Sequence, residues 1–236
     1  MRAIIIGATS GIGQEMARQL LDEGWHVGIT GRRIDRLESL ARAHPGKVEV
    51  QRMDVTDPEA AEDGLADLIT RMGGVDTIVL SSGVGKFNKA LETLPEVETI
   101  DVNVIGFTHL ALAAMRYFLG QGAGHLVIIS SIASRRGDRA APAYNASKAY
   151  QARYAEGLRK YAVRKGSNIT VTDVQPGYVD TAIVQGKVPW LQPVDKAVRQ
   201  ILSGMKARRS RIVVTRRWRY VAWAIERMPE MLWHRL

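Results

Sequence analysis

Arg2-Ala3-Ile4-Ile5-Ile6-Gly7-Ala8-Thr9-Ser10-Gly11-Ile12-Gly13 decides how this chain is read. Residues 2–6 are a short apolar run of the length of a buried strand. Ile12, Met16, Leu20 and Leu21 then recur at helical spacing. Between strand and helix stand Gly7, Gly11 and Gly13, with Thr9, Ser10 and Ile12 among them. A glycine alone is a turn residue. Between this strand and this helix it lets backbone amides approach a pyrophosphate at the positive end of the helix.

The pattern repeats outward from there. Gly24 to Thr30 reads as a second strand, ending at Gly31-Arg32-Arg33. In a dinucleotide fold the end of that strand meets the adenosine ribose, where an acid suits NAD and an arginine suits the 2′-phosphate of NADP. Two arginines and no acid stand here, and arginine is unfavourable at a helix N-terminus without an anionic partner. This predicts a preference for NADP(H), with NAD(H) admissible. Arg33 to Ala43 reads as a helix and Lys47 to Gln51 as a strand closing on Met53-Asp54-Val55. Asp57-Pro58-Glu59 is a capped helix start, and that helix runs to about Met72. Val75 to Leu80 is a fourth strand, followed by Ser81-Ser82-Gly83. A long helix over Val97 to Leu119 carries Asn103. Gly124 to Ser130 is a fifth strand, closing on Ser131, and Asn168 to Val174 a sixth, stopping at Gln175-Pro176-Gly177.

Alternating strands and helices predict a single α/β domain over residues 1–207. It is a Rossmann-type, doubly wound parallel sheet of about seven strands, with helices on both faces and a C-terminal amphipathic helix. Ligands of such sheets bind outside the carboxyl ends of the strands. The Gly7 turn, Arg32, Asp54, Ser82, Ser131 and Pro176 all fall at those ends, so they converge on one site.

Thirteen residues after Ser131 comes Tyr144, in Ala143-Tyr144-Asn145-Ala146-Ser147-Lys148. Alanines and a first-turn Pro142 suit a helix running to about Arg164. Residues four apart share a helical face, so Tyr144 and Lys148 point the same way. A phenol titrates near pH 10, and a nearby ammonium lowers that value. The pair can therefore serve as a general acid and base.

Composition narrows the classes. The 236 residues are 46% hydrophobic and 24% charged, ordinary for a globular domain. Without cysteine there is no disulfide or thiolate metal site, and the five histidines lack ligand spacing, so no metal is expected. The N-terminal apolar residues are too few for a signal peptide, and no apolar run approaches a membrane span, so a cytoplasmic location is expected. The net charge of +9 is concentrated from Lys206 onward, where nine basic residues face two acidic ones. No nucleic-acid-binding motif accompanies that charge.

Together the glycine motif, Asp54, Asn103, Ser131, Tyr144, Lys148 and Pro176-Gly177 resemble the short-chain dehydrogenase/reductase family, in its order and over residues 2 to about 205. The resemblance implies an oxidoreductase that interconverts a carbonyl compound and a secondary alcohol, and a homo-oligomer, dimer or tetramer. It implies Tyr144 as general acid in reduction and base in reverse, with Lys148 holding the nicotinamide ribose and lowering the tyrosine's pKa. Ser131 would hold the carbonyl oxygen, and Asn103 a water linking Lys148 to solvent. Asp54 and Val55 would lie against the adenine, with Ser82 and Gly83 beside the cofactor. Pro176, Gly177, Val179 and Thr181 would line its nicotinamide side. The sequence departs from the family at Ile6, where threonine is usual, and at Leu80-Ser81-Ser82-Gly83, where Asn-Asn-Ala-Gly is usual. Ile6 and Leu80 lack side-chain hydrogen bonds, so cofactor binding is expected to survive in weakened form.

Only Ala182 to Gln192 separates Thr181 from the next helix, near Pro193. So short a segment predicts a shallow, open substrate pocket bordered by Ala133, Tyr178, Ile183, Val184 and Trp190, favouring no particular substrate. Residues 208–236 form a basic tail and no independent domain, with a last strand over Arg211 to Thr215. Trp218, Val221, Ala222, Ile225 and Met228 then fall on one helical stripe, and Trp233 and Leu236 extend its apolar character. The stripe packs on its own domain or a partner subunit, or lies on an anionic membrane surface. The rivals to a reductase of free carbonyl compounds are a non-catalytic NADP(H)-binding regulator and a membrane-surface reductase of lipid-like substrates. A nucleotide-sugar epimerase would need a larger C-terminal domain than this chain has room for.

Overall fold

The computed structural model describes residues 1–184 and 188–234. Seven parallel strands form one sheet: β1 (Arg2–Ile6), β2 (His26–Gly31), β3 (Val48–Arg52), β4 (Thr77–Leu80), β5 (Ala123–Ile129), β6 (Asn168–Pro176) and β7 (Arg211–Val214). Their spatial order is β3-β2-β1-β4-β5-β6-β7. The sequence order reverses between β1 and β4, which are hydrogen-bonded neighbours, and this opens a crevice at their carboxyl ends.

Alternation along β1 sets the two layers, because successive side chains leave opposite faces of a sheet. Ile4 and Ile6 join one core with Leu65 and Leu68 of α3 (Pro58–Arg71), Leu110 and Phe118 of α5 (Phe107–Gln121) and Ala155 of α6 (Pro142–Arg164). Ala3 and Ile5 join the other with Met16 and Leu20 of α1 (Gly11–Asp22), Leu37 of α2 (Ile34–Ala43) and Val198 and Ile201 of α7 (Val194–Lys206). Asp57 caps α3 by accepting the Ala60 N–H at 3.3 Å, with Pro58 in the first turn. Element ends lie within a few residues of the sequence reading, the usual scatter of frayed termini.

The long helix is more extended than the sequence suggested. α4 (Thr93–Ile100) continues through a π-helical segment, Asp101–Gly106, into α5. Widened turns of this kind recur at functional sites, and this one carries Asn103. Gly106 is required because a Cβ there would run into the carbonyl of Val55. By length and apolar composition the continuous helix Thr93–Gln121 could cross a bilayer, contrary to the expectation that no run approaches that length. Its residues Leu110, Ala111, Ala114, Met115 and Phe118 are instead buried in the core.

The tail packs on its own domain. β7 pairs with β6, and α8 (Arg216–Arg227) and α9 (Glu230–Trp233) follow. The predicted apolar stripe faces inward: Trp218 and Ala222 are buried, and Val221, Ile225 and Met228 half-buried. Leu236 lies outside the described residues.

Candidate active site

The loops that leave β1 and β4 meet over the crevice. Gly7 has φ +94°, and a Cβ there would stand 2.5 Å from the Ser82 backbone nitrogen. Gly13 is pressed as closely on the Gly7 carbonyl. Only glycine lets these backbones approach so nearly. Ile6 and Leu80 are core residues, and the turns they flank are held by backbone bonds: Ala8 N–H to the Thr30 carbonyl at 2.8 Å and Ser81 N–H to the Ile6 carbonyl at 2.8 Å. Ser10 caps α1 without a side-chain hydrogen bond, so the first-turn amides of α1 are left to an external acceptor.

At the end of β2, Arg33 folds back over this turn. Its guanidinium donates to Thr9 Oγ1 at 2.6 Å and to Ser10 Oγ at 2.9 Å. Arg32 and Arg33 both stand on the wall of a cavity of about 860 Å³ that runs from the Gly7 turn past Tyr144 to Trp233. Asp54, also on that wall, accepts from Thr56 N–H at 3.1 Å and Thr56 Oγ1 at 2.9 Å. Glycines, bare helix amides and paired arginines make a cradle that fits a phosphorylated dinucleotide.

α6 presents Tyr144 and Lys148 together to the same cavity, with Lys148 Nζ 5.8 Å from the centre of the tyrosine ring. Gly85 lets the β4 loop close on that ring, since a Cβ there would stand 3.0 Å from Tyr144 Cδ2. Ser131 begins a 3₁₀ turn (Ile132–Arg135), accepts the Ala133 N–H at 3.1 Å and donates over a long 3.5 Å to the Pro176 carbonyl. Lys148 is buried and donates to the Ile129 carbonyl at 3.0 Å and to Gln151 Oε1 at 2.9 Å. Burial pushes its ammonium down to about 8, against the attraction of Asp173. Burial pushes the Tyr144 phenol up; Ser131 offsets part of that and Tyr178 adds to it. In the free site burial thus dominates, and the group that lowers the phenol is Ser131 rather than the expected Lys148.

Asn103 is buried beside the site. It does not reach the cavity wall. Its side chain ties the β4 loop to α6, accepting Val84 N–H at 2.9 Å and donating to the Val84 carbonyl at 2.8 Å and to Ser147 Oγ at 3.0 Å. The path from Lys148 to the Asn103 carbonyl runs through the Gln151 amide, whose Nε2 donates to it at 2.9 Å. Gln151 thus bridges Lys148 and the Asn103 carbonyl. Gln151 lies one turn beyond Lys148 on the same helical face, a spacing visible in the sequence.

The family of short chain dehydrogenases matches residues 1–192. The chain belongs to the short-chain dehydrogenases. An uncharacterized oxidoreductase of Staphylococcus epidermidis is 31% identical over 186 residues, spanning 78% of this chain and 80% of that one. The structure is similar to a short-chain dehydrogenase of Streptomyces avermitilis, with a TM-score of 0.84 at 24% identity over 95% of this chain and 90% of that one. It is also similar to one from Sphingobium yanoikuyae in complex with NADPH, with a TM-score of 0.81 at 24% identity over 94% and 92%. The protein is an oxidoreductase of the short-chain dehydrogenase type.

Within this short-chain dehydrogenase, the cleft wall holds most residues singled out by sequence: Gly7, Thr9 to Ile12, the two arginines, Asp54, Val55, Ser82, Gly83, Ser131, Tyr144, Lys148, Pro176, Gly177, Val179 and Thr181. Gly13 instead packs behind Gly7. Ala133, Tyr178, Ile183 and Val184 also line it. Trp190 does not: it is 53% exposed, and its ring backs onto Trp218 at 5.8 Å. The wall extends beyond the residues expected to border the pocket, for Trp218, Ile225 and Trp233 of the tail stand on it. The helical stripe was legible, but nothing local named the surface it would cover.

Proposed function

We propose that this short-chain dehydrogenase uses NADP(H) in preference to NAD(H) to interconvert a carbonyl compound and a secondary alcohol. The observation that carries the reading is the pairing of Tyr144 and Lys148 on one wall of the cleft that also holds the glycine cradle. The cofactor, when bound, supplies the hydride. Tyr144, kept protonated by its burial, gives its phenolic proton to the carbonyl oxygen. Hydride at carbon and proton at oxygen complete the alcohol. Ser131 steadies the oxygen through its hydroxyl as charge gathers there. Lys148 holds the ribose hydroxyls from the floor of the cleft. Arg32 and Arg33 favour a 2′-phosphate over a bare ribose, and the Sphingobium relative's complex is with NADPH.

The test is NADPH oxidation against ketones, aldehydes and quinones. Tyr144→Phe should lower kcat by about 10²–10⁴-fold, the usual worth of a positioned general acid, with NADPH affinity within about 3-fold of wild type, since the phenol's hydroxyl alone is removed. Turnover surviving in Tyr144→Phe would sink the proposed role. A kcat/KM for NADH equal to that for NADPH would sink the cofactor preference.

A further inference from the structure

We infer that α8 and the turn after it are the substrate-side wall of the cleft, and that this wall selects a carbonyl carried on a bulky apolar skeleton; the inference rests on the reductase reading above. The residues of this wall lie beyond 192, outside the family match.

Trp218 is the wedge. It is 5% exposed and stands edge-on to Tyr178 at 5.2 Å, with Trp190 behind it. It closes on Gly177, where a Cβ would collide with the indole. Arg135 and Arg136 fasten the rest. Arg135 pairs with Glu226 at 2.9 Å. Arg136 donates to the carbonyls of Ile225, at 3.3 Å, and Met228. Trp233 Nε1 donates to the Gly137 carbonyl at 3.0 Å, under the Arg136 guanidinium. Ile225 and Trp233 are thereby fixed on the wall of the cavity that Ile183 and Phe87 also line.

The charged groups at this end already hold partners, while the buried Trp218 Nε1 has none among the described residues. Arg136 is spent on the tail carbonyls and Lys86 on Glu98. Asp138 accepts the Ala140 N–H at 2.7 Å. A polyhydroxylated substrate would bury more polar groups than this end can partner, at about 10-fold in affinity for each one left unpaired. A ring system or branched hydrocarbon would meet indoles and aliphatic side chains instead. The wall thus favours shape and apolar area beside a single reacting carbonyl.

The experiment compares butan-2-one with 2-acetylnaphthalene, using full-length protein and NADPH. Wild type should show a kcat/KM at least about 100-fold higher for the naphthyl ketone, the scale of a few well-packed apolar groups. Ile225→Ala and Trp233→Ala should each lower kcat/KM for the naphthyl ketone about 10-fold more than for butan-2-one, chiefly through KM. Binding of 1-(2-naphthyl)ethanol to the NADPH-loaded protein, followed by calorimetry, gives a readout without turnover. Binding that weakens in both variants while no ketone is reduced would keep the wall and overturn the reductase reading. Reduction of both ketones with equal kcat/KM, or tail variants that change both alike, would overturn the wall and keep the reductase. Failure of the naphthyl alcohol to bind would also overturn the wall.

Discussion

The two ends of the cleft close by different means. At the cofactor end, backbone meets backbone: Gly7 against Ser82, Gly13 against Gly7. At the substrate end, a side chain meets a glycine: Trp218 of α8 against Gly177. Backbone contacts admit no adjustment, whereas an indole on a tail helix can shift with its helix. The rigid end suits a ligand of one shape and the adjustable end suits substrate choice.

One substitution made at both ends breaks or upholds that contrast. Gly7→Ala places a Cβ at φ +94° against the Ser82 backbone, where neither partner can give. Backbone strain and overpacking cost about 1–3 kcal/mol each. A fall in Tm of roughly 4–24 °C is expected, at about 2–4 °C per kcal/mol for a domain of this size, with loss of measurable NADPH binding. The nearest atoms that Gly177→Ala meets are those of the Trp218 indole. It should cost less stability and fall on bulky-ketone reduction more than on NADPH affinity. Equal damage from the two would mean that the tail is as unyielding as the cradle.

The cofactor end was legible in the sequence because its contacts are local. Strand, glycines and helix follow one another within residues 2–22, and Tyr144 and Lys148 share a helix by their spacing alone. What failed to show was what distant segments bring. Trp218 reads as apolar, yet its partners Tyr178 and Trp190 lie some thirty to forty residues earlier. Asn103 reads as an active-site amide, but the loop at Val84 and the helix at Ser147 claim its hydrogen bonds. Burial was the other silent quantity. It moves the Tyr144 phenol up and the Lys148 ammonium down, each against the sense of a bare ion pair.

Those opposed shifts give the contrast a pH signature. Lys148 is charged below about 8 and neutral above it, while the Tyr144 phenol stays protonated beyond its ordinary range. In the free enzyme the ammonium is therefore lost first as pH rises. The kcat/KM for reduction should fall above about pH 8, approaching about 10-fold per pH unit, because that parameter reports free-enzyme ionisations. Lys148→Arg should remove the break, since a guanidinium keeps its proton throughout. A wild-type profile flat to pH 9.5 would show that burial is not what governs this lysine.

The smallest effect asks what holds the tail in place. Arg135 and Glu226 form an ion pair in which the carboxylate is 46% exposed and the guanidinium 14%. Exposed pairs of this kind contribute about 0.2–1 kcal/mol. Arg135 does not depend on it, for it also donates at 2.6 Å to Gln175 Oε1, and Gln175 donates to the buried Asp173 at 2.5 Å. Glu226→Gln keeps the shape and removes only the charge. Its Tm should fall by less than about 3 °C, and its KM for the naphthyl ketone should change less than about 3-fold, because Trp218 still fills the space over Gly177. A large rise in KM from so slight a change would place the hold on the tail in the ion pair, and the adjustable end of the cleft would then answer to salt concentration rather than to packing.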